Sequence, residues 1–211
     1  MKQLVHVKDA EVNMEGMLKI PPSAQGIVLF AHGSGSSRFS PRNNFVADIL
    51  NQAGLGTLLI DLLSKEEGEI YQTRFDINLL TDRLSKVIEW LQTQAETKNL
   101  LIGLFGSSTG AAAALEVASA MDENIKAVVS RGGRPDLAIS VLDNVTAPTL
   151  IIVGGNDYGV IELNQKAFEQ LACIKKFEVI PDATHLFEEP GCLEEVARLA
   201  KEWFHQYLVK V

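Results

Sequence analysis

Six short apolar runs, almost unbroken by polar residues, occupy residues 26–31, 57–60, 100–105, 127–129, 149–153 and 177–180. Runs of this length suit strands buried on both faces, the condition of a parallel sheet covered by helices. Helical spacing appears between them. Residues 76–94 carry Ile77, Leu80, Leu84, Val87, Ile88 and Leu91, close to a period of 3.6. Residues 45–52, 161–172 and 193–208 also read as helices, and residues 109–121 are rich in alanine, the best intrinsic helix former. Ahead of the first run, residues 4–7 and 12–20 flank a polar turn and end at Pro21-Pro22, the pattern of a β-hairpin. This order predicts an α/β fold: a mostly parallel central sheet with helices on both faces and an N-terminal β-hairpin. No linker or repeat interrupts it, so residues 1–211 are expected to form one domain without a separate cap.

Composition narrows the function. A net charge of −8 argues against nonspecific binding to the phosphate backbone of nucleic acid. No apolar run approaches the roughly eighteen residues of a membrane span. The N-terminal residues alternate instead of forming the apolar core of a signal peptide, which gives a cytoplasmic expectation. Cys173 and Cys192 lack CxxC spacing and read as small buried hydrophobes. His6, His32, His185 and His205 are scattered without ligand spacing, so neither a metal nor another cofactor is expected.

In open α/β sheets the ligand site lies beyond the carboxyl ends of the strands. After residues 100–105 comes Gly106-Ser107-Ser108-Thr109-Gly110 and then the alanine run. This is G-x-S-x-G in its strand–turn–helix setting, with Ser108 at the centre and Ser107 beside it. A serine hydroxyl needs a base, and the base needs an orienting acid. The run 149–153 leads to Asp157, and the run 177–180 leads to His185. Asp157 could also be a turn or helix-cap residue, His185 an exposed loop residue, and Asp182 is a second candidate acid. The loop after residues 26–31 reads His32-Gly33-Ser34-Gly35-Ser36-Ser37. An oxyanion hole needs two N–H groups, expected from Thr109 and from Ser34, with Gly33 next in line. His32 is expected to orient this loop or to contact substrate. A phosphate-cradling reading of the loop lacks both the lysine and the glycine spacing it would need.

On these residues the sequence resembles the α/β-hydrolase superfamily and, more narrowly, the small cap-less members of the dienelactone hydrolase family. The resemblance runs from about Ile27 to the C-terminal helix. It implies a triad on loops at the carboxyl edge of the sheet, with Ser108 as nucleophile, Asp157 as acid and His185 as base. The chain departs from the family at one point. Enzymes that hydrolyse dienelactone characteristically use a cysteine nucleophile, and here the position is serine, so the family's name-giving substrate does not carry over.

The resemblance therefore implies a serine hydrolase acting on a small carboxylic ester or lactone through an acyl-enzyme. An acyltransferase, a peptidase or a non-catalytic ligand-binding homologue are the alternatives. Arg38, Arg42, Arg131 and Arg134 follow strand ends, and Arg74 lies nearby. Arginine pairs bidentately with carboxylate or phosphate, so an anionic substrate is one expectation and internal ion pairing is the other.

Overall fold

The structure is a computed structural model that describes residues 2–9 and 12–210. The tip of the expected hairpin turn, Ala10-Glu11, lies outside the described residues. Among the described residues eight strands form one sheet: β1 (Gln3–Asp9), β2 (Val12–Lys19), β3 (Gly26–Ala31), β4 (Gly56–Ile60), β5 (Leu101–Ser107), β6 (Ile125–Arg131), β7 (Thr149–Gly154) and β8 (Lys175–Ile180). Their order is β1-β2-β4-β3-β5-β6-β7-β8. The hairpin β1–β2 is antiparallel and joins β4 antiparallel, while every pair from β4 to β8 is parallel.

The α-helices among the described residues are α1 (Pro41–Gln52), α2 (Lys65–Glu69), α3 (Ile77–Thr93), α4 (Thr109–Ala120), α5 (Tyr158–Gln170) and α6 (Cys192–Leu208). Short 3₁₀ segments add Thr73–Phe75 and Pro135–Asn144. Alternation along each strand divides the core into two layers. Ile27 and Leu29 of β3 pack with α3, α4 and α5, whereas Val28 and Phe30 pack with α1 and α6. Both faces of the strand are therefore apolar, which is why the sequence shows an unbroken run instead of alternation.

Helix α1 begins four residues before its apolar periodicity. Ser40 accepts a hydrogen bond from the Asn43 N–H, and Pro41 occupies the first helical turn, where its missing N–H costs nothing. Arg42 and Asn43 thus belong to a helix start and not to the preceding loop. Arg131 likewise is the last residue of β6, which is longer at both ends than its apolar core.

From β3 the chain moves through α1 to β4 on one side, then through α3 to β5 on the other. This reversal opens a crevice at the carboxyl ends of β3 and β5. Helix α4 leaves β5 so tightly that side chains are excluded. A Cβ on Gly106 would stand 2.4 Å from the Ala111 Cα, and one on Gly110 would stand 2.2 Å from the Ala31 carbonyl oxygen.

Gly110→Ala is accordingly expected to cost about 3 kcal/mol or more in urea denaturation, the upper range for overpacking against backbone. Gly68→Ala, with open space around it, is the control. Equal midpoints for the two variants would contradict this account of the turn.

Candidate active site

Ser108 sits between β5 and α4 with φ 50° and ψ −123°, a conformation that L residues rarely adopt. The neighbouring backbone holds it there. The Ser108 N–H donates to the Arg131 carbonyl at 3.4 Å, and the Ser108 carbonyl accepts from Ala111 and Arg134 N–H groups at 3.1 and 3.0 Å. The first amides of α4 have no intrahelical acceptor, so the positive end of the helix faces the serine. Ser107 points elsewhere. It is buried, and its hydroxyl bonds Asn43 Oδ1 at 3.2 Å.

His185 lies in the loop after β8, and its Nδ1 is 2.7 Å from Asp157 Oδ2. Asp157 stands at the start of α5, the position of a helix cap. Its side chain makes no capping bond, which leaves the carboxylate for the imidazole. Asp182, the other candidate acid, adopts φ 64° in the turn after β8, and its carbonyl accepts from Asn156 Nδ2. Gly132 brings the two halves of the site together. It follows Arg131, whose carbonyl anchors Ser108, and a Cβ on it would stand 3.6 Å from His185 Cε1.

The loop after β3 reaches the serine from the other side. A Cβ on Gly33 would lie 2.8 Å from the Ser108 Cβ, so only glycine lets this backbone pass. The Ser34 N–H donates to Thr109 Oγ1 at 3.0 Å. Its proton is thus engaged by a side chain, where sequence reasoning had it facing the substrate directly. Beyond lies a cavity of about 730 Å³ whose wall includes Gly33, Ser34, Arg38, Asp61, Leu63 and Thr109. It meets the site on the Thr109 side, away from Asp157 and His185. Phe39, also in its wall, is exposed, as are Ile70, Tyr71 and Phe75 in the segment after α2, where the rings of Tyr71 and Phe75 are 4.9 Å apart.

His32 is buried with both ring nitrogens spent. Nε2 accepts from the Leu62 N–H at 3.4 Å, which leaves the proton on Nδ1 to donate to the Gly33 carbonyl at 3.0 Å. It ties the Gly33–Ser34 backbone to the end of β4 and has no ring nitrogen left for a substrate. Burial pushes its pKa below the ordinary value, opposed by the Gly33 carbonyl and by the Asp61 carboxylate.

The arginines have internal partners. Arg38 pairs with Asp61 and Glu15, Arg42 with Glu188, and Arg134 with Asp136 through two bonds. Arg74 donates to the Gly68 and Glu69 carbonyls. Arg131 is different: it is buried, has no carboxylate partner among the described residues, and bonds Asn43 Oδ1 at 3.1 Å and Ser107 Oγ at 3.2 Å. Burial, with a smaller contribution from Arg42, lowers its pKa to about 10, so it remains charged at neutral pH. This Asn43–Ser107–Arg131 cluster under the elbow was missed from sequence. Asn43 at a helix start gave no sign of partners 64 and 88 residues away.

The strained serine between a buried strand and a helix, at the crevice of a mostly parallel sheet, defines the α/β-hydrolase fold. The sequence pattern of the dienelactone hydrolase family matches residues 14–208, and the chain belongs to that family. A dienelactone hydrolase from Anabaena variabilis, known from its crystal structure, is 56% identical over 99% of both chains with a TM-score of 0.96. Est1E from Butyrivibrio proteoclasticus shares the fold, with a TM-score of 0.84 at 16% identity over 96% of this chain and 98% of its own. Proteins of two Mycobacterium tuberculosis strains that carry a provisional phosphoribosyl transferase name are 53% identical over 204 residues. That match takes in 97% of this chain and 46% of theirs, so the chain spans about half the length of the curated relatives it matches. Among the described residues no helix is long and apolar enough to cross a membrane.

The neutral His32 makes a test of its structural part. Its folded pKa lies below the unfolded one, so its contribution to stability is complete above about pH 6.5 and is lost as pH falls below that. Replacing it by Gln, which can accept and donate in the same place, is expected to flatten the acid side of the stability–pH curve. The slope should fall by up to about 1.4 kcal/mol per pH unit, the value of one proton. An unchanged slope in denaturation at stepped pH would remove His32 from this role.

Proposed function

We propose that the protein is a serine hydrolase that cleaves a small carboxylic ester or lactone through an acyl-enzyme. The observation that carries this reading is the 2.7 Å contact between His185 Nδ1 and Asp157 Oδ2, with His185 packed close to Gly132, the residue after the Arg131 carbonyl that anchors a serine held at φ 50°. Asp157 fixes the tautomer with the proton on Nδ1, which leaves Nε2 to accept the Ser108 proton. Ser108 Oγ then bonds the carbonyl carbon, and the carbonyl π pair moves to oxygen, where the Thr109 N–H stabilises it. His185 returns the proton to the leaving alcohol. Water, deprotonated by His185, attacks the acyl-enzyme and frees Ser108. No step needs a metal or a cofactor.

The family and the Anabaena relative support hydrolysis, while serine at the nucleophile position speaks against dienelactone itself as the substrate. The phosphoribosyl transferase name belongs to proteins of which this chain matches less than half, and the groups assembled here suit attack on a carbonyl. The internal partners of Arg38, Arg42, Arg74 and Arg134 favour a neutral ester over an anionic one, because binding a carboxylate would break an existing pair. Cys173 and Cys192 are unpaired thiols, in keeping with a reducing, cytoplasmic compartment.

A fluorophosphonate probe is expected to label the wild type and not Ser108→Ala. Asp157→Asn should reduce kcat on a short-chain ester by about 10⁴-fold through loss of the correct tautomer. Labelling of Ser108→Ala at the wild-type rate would refute the assignment. In a panel of neutral and anionic esters, Arg134→Ala should leave the preference unchanged; a shift towards neutral esters would restore the anionic reading.

A further inference from the structure

We propose that Thr109 serves the oxyanion twice, through its backbone N–H and through its side-chain hydroxyl, with the Ser34 N–H polarising that hydroxyl from behind. The inference rests on Ser108 as the nucleophile, and it replaces the second backbone donor of the usual arrangement with an O–H group.

The Ser34 amide has one proton, and it is directed to Thr109 Oγ1 at 3.0 Å. A hydroxyl that accepts this bond still carries a proton of its own. Among the described residues that proton has no protein acceptor, because the contact with Ser34 is the sole hydrogen bond of the side chain. A threonine within a helix commonly donates to the carbonyl one turn earlier. Thr109 has no such turn, since it opens α4 and the residues before it belong to β5. The residue is 1% exposed, and an unsatisfied hydroxyl proton at that depth is costly unless something else completes it. Thr109 also forms part of the wall of the 730 Å³ cavity, on the side where Gly33 abuts Ser108. On this proposal the free proton turns to the cavity side, where the carbonyl oxygen of a bound ester would sit.

The chemistry is that of a fixed donor. When Ser108 Oγ bonds the carbonyl carbon and its proton passes to His185, negative charge gathers on the former carbonyl oxygen. The Thr109 hydroxyl keeps its proton and donates a hydrogen bond to that oxygen. The Ser34 N–H, by bonding Oγ1, draws density from it and strengthens the O–H as a donor. β-Branching restricts the threonine χ1, so the donor is in place before the charge develops. Ser34 is here a positioning residue that acts through Thr109.

The test compares Thr109→Val, which keeps the shape and removes the hydroxyl, with Thr109→Ser, which keeps the hydroxyl. The Val variant is expected to lose about 10²-fold in kcat on a short-chain ester with KM little changed, the size of one lost oxyanion donor. Its affinity for a trifluoromethyl ketone, which forms the same oxyanion on Ser108, should fall by a similar factor. The Ser variant should retain most of both. A Val variant with wild-type or higher kcat would overturn the proposal, because the hydroxyl would then only obstruct the Ser34 amide. A KM effect without a kcat effect would overturn it too. Should the Val variant not fold, as judged by near-UV circular dichroism, Thr109→Ala extends the alanine run of α4 and makes the same comparison. Failure of the underlying reading looks different: Ser108→Ala would then hydrolyse the ester.

Discussion

The passage of α4 over the ends of β3 and β5 is the contact on which the remaining geometry depends. With Gly106 and Gly110 against backbone at distances that admit no Cβ, and alanines following, helix and sheet meet almost main chain to main chain. That proximity bends the chain at Ser108 into the left-handed region and sets the positive end of α4 behind the hydroxyl. It also places Thr109 within reach of the loop after β3. Strain at the serine persists because the bonds on its amide and carbonyl, with the close backbone approach at Gly33, Gly106 and Gly110, over-determine it.

Around this turn the site is assembled from backbone more than from side chains. His32 spends both nitrogens on main-chain groups, Asp157 leaves its helix uncapped to hold His185, and the Ser108 amide and carbonyl are both engaged. Charges near the crevice largely neutralise one another, as Arg38 does with Asp61 and Glu15. The exception is Arg131, kept charged in the interior by neutral partners alone.

What could be read from sequence was whatever a short stretch determines. Buried strands announce themselves as apolar runs, and chemistry at strand ends follows them within a few residues. The parallel sheet and the hairpin were therefore visible, and Ser108, Asp157 and His185 stood out as candidates from their places after strand ends. The start of α1 was equally local, in Ser40-Pro41, but periodicity first becomes visible at Phe45. The 3₁₀ stretch Pro135–Asn144 has no long apolar period to reveal it and carries a kink at Ala138. Pairings across the fold were beyond reach. Arg42 meets Glu188 146 residues later, and nothing near either residue indicates whether a strand-end arginine holds a substrate or a neighbour. The engagement of the Ser34 amide by Thr109, 75 residues away, was hidden for the same reason.

The surroundings of the serine and the segment after α2 differ in how they would respond to change over evolutionary time. On the α4 side a single added carbon collides with main chain, so drift there is purged by instability before it can alter selectivity. By contrast Phe39, in the cavity wall, and Ile70, Tyr71 and Phe75, in the segment after α2, are exposed and are not part of the close-packed layers. Sequence can diverge in that segment at little thermodynamic cost. The fold thus pairs a tightly packed edge around Ser108 with an exposed segment around Ile70, Tyr71 and Phe75 that can vary at little cost to stability.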